Sequence, residues 1–170
     1  LNPSVLPHLA APLVLSLLCS VFSPIAGGAI QAVIDTDETR TTPVPHRYLH
    51  GVILDDAKFQ ILLPTAWNGK VAIFTRGFSG TELTTGGFQR AALAKGYAFA
   101  SSNEGRSRVT IKDHPEDSYY ESRQRLFELT LYTNAMVKNQ YGRESTRTLI
   151  MGGSNGGHHT KWMLEDFPEL

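Results

Sequence analysis

Charge and cysteine are both missing from the start of this 170-residue chain: no Lys, Arg, Asp or Glu precedes Asp35, and the single cysteine, Cys19, lies in the same stretch. One cysteine closes no internal disulfide and assembles no multi-thiolate zinc site. Bulky Leu18 stands before it where a lipid-anchor site wants a small residue. There is no Asn-x-Ser/Thr sequon with a non-proline middle residue, so N-glycosylation is not foreseen. Nor is there an excess of either charge: sixteen Lys and Arg balance sixteen Asp and Glu. That balance removes the electrostatic reason to expect nucleic acid or an anionic membrane as partner, and no nucleic-acid-binding signature is present. Repeats and low-complexity tracts are absent as well.

What the N-terminus does have is an apolar run, "LAAPLVLSLLCSVF", passing into the small-residue stretch "SPIAGGAIQA". Pro12 and Pro24 bracket a run too short to span a membrane comfortably. The pattern is that of a secretory signal whose positive n-region is not in the sequence. Residues 1–32 are therefore read as a signal peptide and 33–170 as globular, with a secreted protein and no stable membrane anchor expected. With Cys19 removed, the mature chain has no thiol nucleophile.

Beyond Asp35 the order of elements can be read from periodicity. "RYLHGVILDD" and "KFQILLP" predict two strands around an acidic turn, and Asn68-Gly69 signals a turn before the β-branched run "VAIFT". "FQRAALAKG" predicts a helix stopped by Gly96, and "YAFASSN" a short buried strand. Leu126, Leu129, Thr133, Met136 and Val137 recur at helical spacing up to Gly142. "RTLIMGG" then predicts a buried strand, and "NGGHHTKWMLEDF" a helix. Alternating strands and helices imply an α/β fold with a mostly parallel sheet covered on both faces.

The last strand-to-helix junction carries the chemistry. Gly152-Gly153-Ser154-Asn155-Gly156 fits G-x-S-x-G, which holds a serine on a sharp turn with its hydroxyl exposed above the sheet edge. Glycines 152, 153 and 156 are expected to form that turn because a Cβ there would collide with it. A phosphate-binding loop is the poorer fit, since neither G-x-x-x-x-G-K-[ST] nor G-x-G-x-x-G is present. Ser154 is the predicted nucleophile. An acyl-transfer oxyanion needs two donors, and the candidates are the Asn155 N–H at the helix start and an N–H in the loop "TRGFSG", at Gly77 or Phe78.

His158 and His159 look like bases but are poorly placed, because the helix runs down and away from the serine. His158 is expected to pack beneath the turn and His159 to be partly exposed. No cofactor and no metal site are expected, since adjacent helical residues diverge and cannot share an ion. In this architecture an acid and then a histidine follow the serine in the chain. Only sixteen residues follow Ser154. Both partners are expected beyond Leu170, so residues 33–170 read as the N-terminal half of a catalytic domain, truncated after the nucleophile helix and not competent alone.

These stretches resemble the α/β-hydrolases, and more narrowly the secreted tannase and feruloyl esterase family. The resemblance runs from about His50 to Leu170 on "LLPTAWNGKVAIFTRGFSG", "AALAKGYAFASSNEG" and "QYGRESTRTLIMGGSNGGHHTKWMLEDFPE". It implies an α/β-hydrolase fold and acyl-enzyme hydrolysis of a small-molecule ester of an aromatic or phenolic acid. The chain departs from the family pattern at Gly153, where Cys is usual, at His158 and His159, where Arg and Gln are common, and at Asn103, where Asp is frequent. "GGSNGG" also resembles the nucleophile turn of prolyl-oligopeptidase-like serine peptidases, which makes a peptidase the runner-up. A non-catalytic secreted binding module on the same fold is the third reading.

Overall fold

A computed structural model describes residues 30–54, 57–77, 80–105 and 119–170. The signal-like run, with Cys19 and the cleavage region up to residue 29, lies outside the described residues. So do Phe78 and most of the polar segment between the second sheet-crossing strand and the long helix.

Six strands form one sheet in the order β1-β2-β3-β5-β4-β6. They are β1 (Ala32–Arg40), β2 (His46–Ile53), β3 (Ala57–Pro64), β4 (Lys70–Thr75), β5 (Ala98–Ser102) and β6 (Arg147–Gly152). Three helices connect or follow them: α1 (Phe88–Ala94), α2 (Tyr120–Tyr141) and α3 (Asn155–Asp166). Strands β5, β4 and β6 run parallel. β1, β2, β3 and β5 pair antiparallel. The fold class is α/β as expected, but the antiparallel edge is a strand wider than the sequence pattern suggests. The extra strand is β1, "AVIDTDETR", whose alternate residues are mostly exposed. An edge strand that buries little has a weak apolar period, and its charges also blunt edge-to-edge association.

Successive residues of the parallel strands feed two different cores. Val71, Ile73, Ala98 and Ala100 pack with Leu126, Leu129 and Val137 of α2 and Met163 of α3. Ala72, Phe74 and Phe99 pack on the other face with Ala92 and Leu93 of α1. This period-two alternation over strands buried on both sides is what makes them read as unbroken apolar runs. Helices end where the glycines predict: Gly96 and Gly142 both adopt positive φ, +75° and +69°.

Beyond the backbone ladder, β1 is tied to β2 through its own carboxylates. His50 donates to Asp35 at 2.6 Å, and Arg47 donates twice to Asp37 at 2.8 and 2.6 Å. The hydrogen bond from His50 holds the Asp35 carboxyl below its ordinary range, and that from Arg47 does the same for Asp37. A carboxyl depressed in the folded state contributes stability above its unfolded pKa and loses it as pH falls through the folded value. Docking of β1 is therefore expected to weaken as pH drops below about 4. The effect should be small, because both carboxylates are about half exposed and screened. Amide exchange of β1, corrected for intrinsic rate and compared above and below that pH, checks it; equal protection would show that the two carboxylates contribute nothing.

Candidate active site

The order β5-β4-β6 means that the chain leaves β4 in one direction and returns past it in the other. α1 crosses on one face and α2 on the opposite face. Such a reversal leaves a crevice outside the carboxyl ends of the strands, where open α/β sheets bind ligands. Three segments meet there: Thr75 at the end of β4 with Arg76 and Gly77 after it, Asn103 and Glu104 after β5, and Gly153 and Ser154 after β6.

β6 pairs with β4 in parallel register through Thr75 and Gly152, and α3 starts three residues later. That leaves two residues to reverse the chain, and Ser154 bears the cost. It has φ 54° and ψ −127°, one of three described non-glycine residues with positive φ. Ser154 is the N-cap of α3, where serine normally turns its hydroxyl back onto the helix N–H groups. Here it makes no such bond, and the residue is exposed. The hydroxyl faces outward at the sheet edge, uncommitted to the helix.

Two of the three turn glycines are required by close approach. A Cβ on Gly152 would meet the Thr75 hydroxyl and come within 2.7 Å of the Gly156 carbonyl. A Cβ on Gly156 would strike the Thr75 carbonyl and lie 2.9 Å from that of Arg76. Gly153 differs from expectation: a Cβ there meets nothing within 4 Å among the described residues. Thr75, which the sequence reading treated only as a strand end, is the buried peg of the turn. Its hydroxyl donates to the Gly156 carbonyl at 2.6 Å.

Asn155 is the first residue of α3, so its N–H belongs to the positive end of the helix. Gly77, two residues past the end of β4, is half-buried, and Phe78 lies outside the described residues. The preceding Arg76 is buried, and its guanidinium donates to carbonyls of both loops. It donates to Asn103 at 3.1 and 2.7 Å and to Gly77 at 2.9 Å. The loop after β4 is thereby tied to the loop after β5.

The two histidines are exchanged relative to expectation. His158 is exposed, whereas His159 is fully buried with its Nδ1 3.0 Å from Glu104 Oε2, itself fully buried. The reason is helix phase. Ser154 faces outward, so position 158, four residues on, shares its outward face. Gly156, His159 and Met163 form the buried stripe.

Residues 52–170 match the family model described as tannase and feruloyl esterase. The chain belongs to that family. Among solved structures it is similar to feruloyl esterase B from Aspergillus oryzae, at 14% identity and TM-score 0.54, over 81% of this chain and 32% of that one. It is also similar to acetyl xylan esterase 1 from Thermoanaerobacterium sp. JW/SL YS485, at 13% identity and TM-score 0.41, over 77% of this chain and 47% of that one. The chain thus spans about a third of the length of the feruloyl esterase B and about half that of the acetyl xylan esterase. No curated protein sequence matches it. The likeness to feruloyl esterase B carries the fold, an α/β-hydrolase.

The family-like segments divide by position. Trp67 of "WNG" stacks on Tyr141 of "YGR" at 4.2 Å, and Arg143 lies over the same indole at 4.8 Å. Trp67 Nε1 donates to the Lys70 carbonyl and the Tyr141 hydroxyl to the Pro64 carbonyl, each at 2.8 Å. This cluster sits at the amino end of β4, opposite Ser154, and joins the chain before β4 to the chain before β6. It lies at the other end of the strands from the glycine-flanked serine.

Proposed function

We propose that this chain supplies the nucleophile and oxyanion donors of a secreted serine carboxylic ester hydrolase acting on esters of aromatic or phenolic acids. The observation that carries the reading is the backbone of Ser154: left-handed, exposed and not used as a cap, at the carboxyl edge of the strand beside the reversal point. Strained residues persist where the surrounding structure over-determines them, and such sites are enriched in function. Membership of the tannase and feruloyl esterase family supports ester rather than peptide hydrolysis, and the name of feruloyl esterase B supports an aromatic acyl group. The apolar run before Asp35 supports secretion. No helix among the described residues is long and apolar enough to cross a membrane.

In this reading Ser154 Oγ attacks the ester carbonyl while a histidine from beyond residue 170 takes its proton, oriented by a carboxylate also from beyond it. The oxyanion accepts from the Asn155 N–H and from an N–H of the Gly77-Phe78 segment, each donor contributing ~3–4 kcal/mol of transition-state stabilisation. The histidine returns its proton to the departing alcohol. Water, deprotonated by the same base, then attacks the acyl-enzyme, releasing the acid and restoring the serine. Neither His158 nor His159 serves as that base: one is on the exposed flank of α3, and the other is buried against Glu104.

A fluorophosphonate probe is expected to label the intact protein on the peptide containing Ser154, with phenolic esters hydrolysed far faster than peptide amides. Undiminished ester hydrolysis by Ser154→Ala would remove the assignment. A preference for amides would favour the peptidase, and a folded protein inert to probe and esters would favour the binding module.

A further inference from the structure

We infer that Glu104 and His159 form a positioning pair for Ser154, setting the rotation of α3 and hence the aim of the serine hydroxyl. This rests on the reading of Ser154 as nucleophile. Glu104 and Ser154 are two of the three described non-glycine residues with positive φ, +59° and +54°. They follow β5 and β6, the two strands that flank β4. Glutamate has no intrinsic preference for left-handed backbone, and its side chain is among those least often buried. Glu104 carries both burdens at once, directly against the helix that Ser154 precedes. An apolar pair of similar volume would commonly fill such a space at no loss of stability. Two unfavourable features on one residue facing the nucleophile's helix therefore point to placement rather than to packing.

The geometry gives the pair something to place. The start of α3 is pressed onto the end of β4 through Gly156 and Thr75. That contact sets the position of the helix start. His159, on the same buried stripe three residues further, adds a polar contact nearer the serine than the apolar one of Met163, and together these fix the rotation of α3 as well as its position. The imidazole is confined by Trp162, stacked at 5.6 Å, and by Tyr119, edge-on at 5.7 Å. The turn between His159 and the serine is stiff: the Gly156 N–H donates to Gly153 and that of Gly157 to Ser154, at 3.0 and 2.9 Å. The other end of the pair is equally fixed. The Asn103 carbonyl, one residue before Glu104, accepts two bonds from Arg76, and the Glu104 N–H donates to Ser102 Oγ at 2.9 Å. The nucleophile's helix and the loop carrying Gly77 are thus both referenced to the same short segment after β5.

The test uses the intact protein, with active sites titrated by fluorophosphonate so that kcat is counted per competent site. Glu104→Gln keeps the shape and removes the carboxylate. It is expected to lower kcat per titrated site, and the rate constant of probe labelling, by about 10- to 100-fold with KM within about twofold, the scale of a nucleophile misplaced by a fraction of an ångström. His159→Gln, which retains a donor toward Glu104, is expected to recover part of the kcat lost in His159→Leu. If Glu104→Gln does not fold, Glu104→Gly relieves the positive φ and is expected to show the same kcat loss. Loss of thermal stability with kcat per site within twofold of the parent, in whichever of these variants fold, overturns the inference and leaves a packing role. Ser154→Ala separates the two levels: if it is inactive while the Glu104 variants keep full kcat, only this inference fails; if it remains active, the nucleophile reading itself fails.

Discussion

Gly156→Ala is expected to disable the intact protein, while Gly157→Ala, one residue further along the same helix, is expected to stabilise it. The two glycines share a helical turn and differ in what surrounds them. An added methyl at 156 meets the backbone carbonyls of Thr75 and Arg76, which belong to the end of a central strand and cannot rotate away. α3 must lift off β4, breaking the bond from the Thr75 hydroxyl to the Gly156 carbonyl. Overpacking of this kind costs roughly 1–3 kcal/mol or more. The larger loss is in reactivity, because a shift of about 1 Å at a catalytic group costs ~100-fold. An added methyl at 157 has only the Gly152 carbonyl nearby, at an ordinary 3.7 Å. There alanine gains its helix advantage over glycine of about 0.5–1 kcal/mol. Denaturant melts and fluorophosphonate labelling rates of the two variants check this. If both behave alike, the close approach of α3 to β4 is not what shapes the turn.

That contrast also marks where the sequence could be read and where it could not. The strand-to-helix turn at Ser154 was legible because its signals are local: a buried β-branched run, glycines, then helical period, all within about twenty residues. The helix stops at Gly96 and Gly142 were legible for the same reason, since positive φ after a helix selects glycine wherever it occurs. The requirement for Gly152 and Gly156 was anticipated, yet its agent, Thr75, is about eighty positions away and carries no mark of its role. Gly153 looked equally constrained only because it lies between them. The histidines show the limit most clearly. Spacing along a helix says that positions 158 and 159 diverge by about 100°, but not which of them faces the sheet. The outward face of Ser154 decides that, and the same helix phase that exposes the serine puts His158 in solvent. Glu104 was invisible as a partner because nothing local predicts a glutamate in left-handed backbone. β1 was missed because its few half-buried side chains alternate with charges that read as loop.

Replacing Ser154 is expected to separate catalysis from stability. Ser154→Ala and Ser154→Gly should both reduce ester hydrolysis by ~10⁴-fold or more, since either removes the attacking oxygen while leaving binding and oxyanion donors in place. Their stabilities should differ. At φ 54° and ψ −127° any L side chain is strained, and such a residue costs of order 1–3 kcal/mol. Alanine keeps the Cβ and with it the strain, so Ser154→Ala should unfold close to the parent; no capping bond is lost, because the serine makes none. Glycine relieves the strain but restores roughly 0.5–1 kcal/mol of chain entropy to the unfolded state. The net expectation is that Ser154→Gly is about 1 kcal/mol more stable than Ser154→Ala, read from urea melts of the two side by side. Equal stabilities would mean that the turn relaxes around this residue and stores nothing in it. A more stable, inactive glycine variant would mean that the fold holds its serine against a local preference that only the reaction justifies.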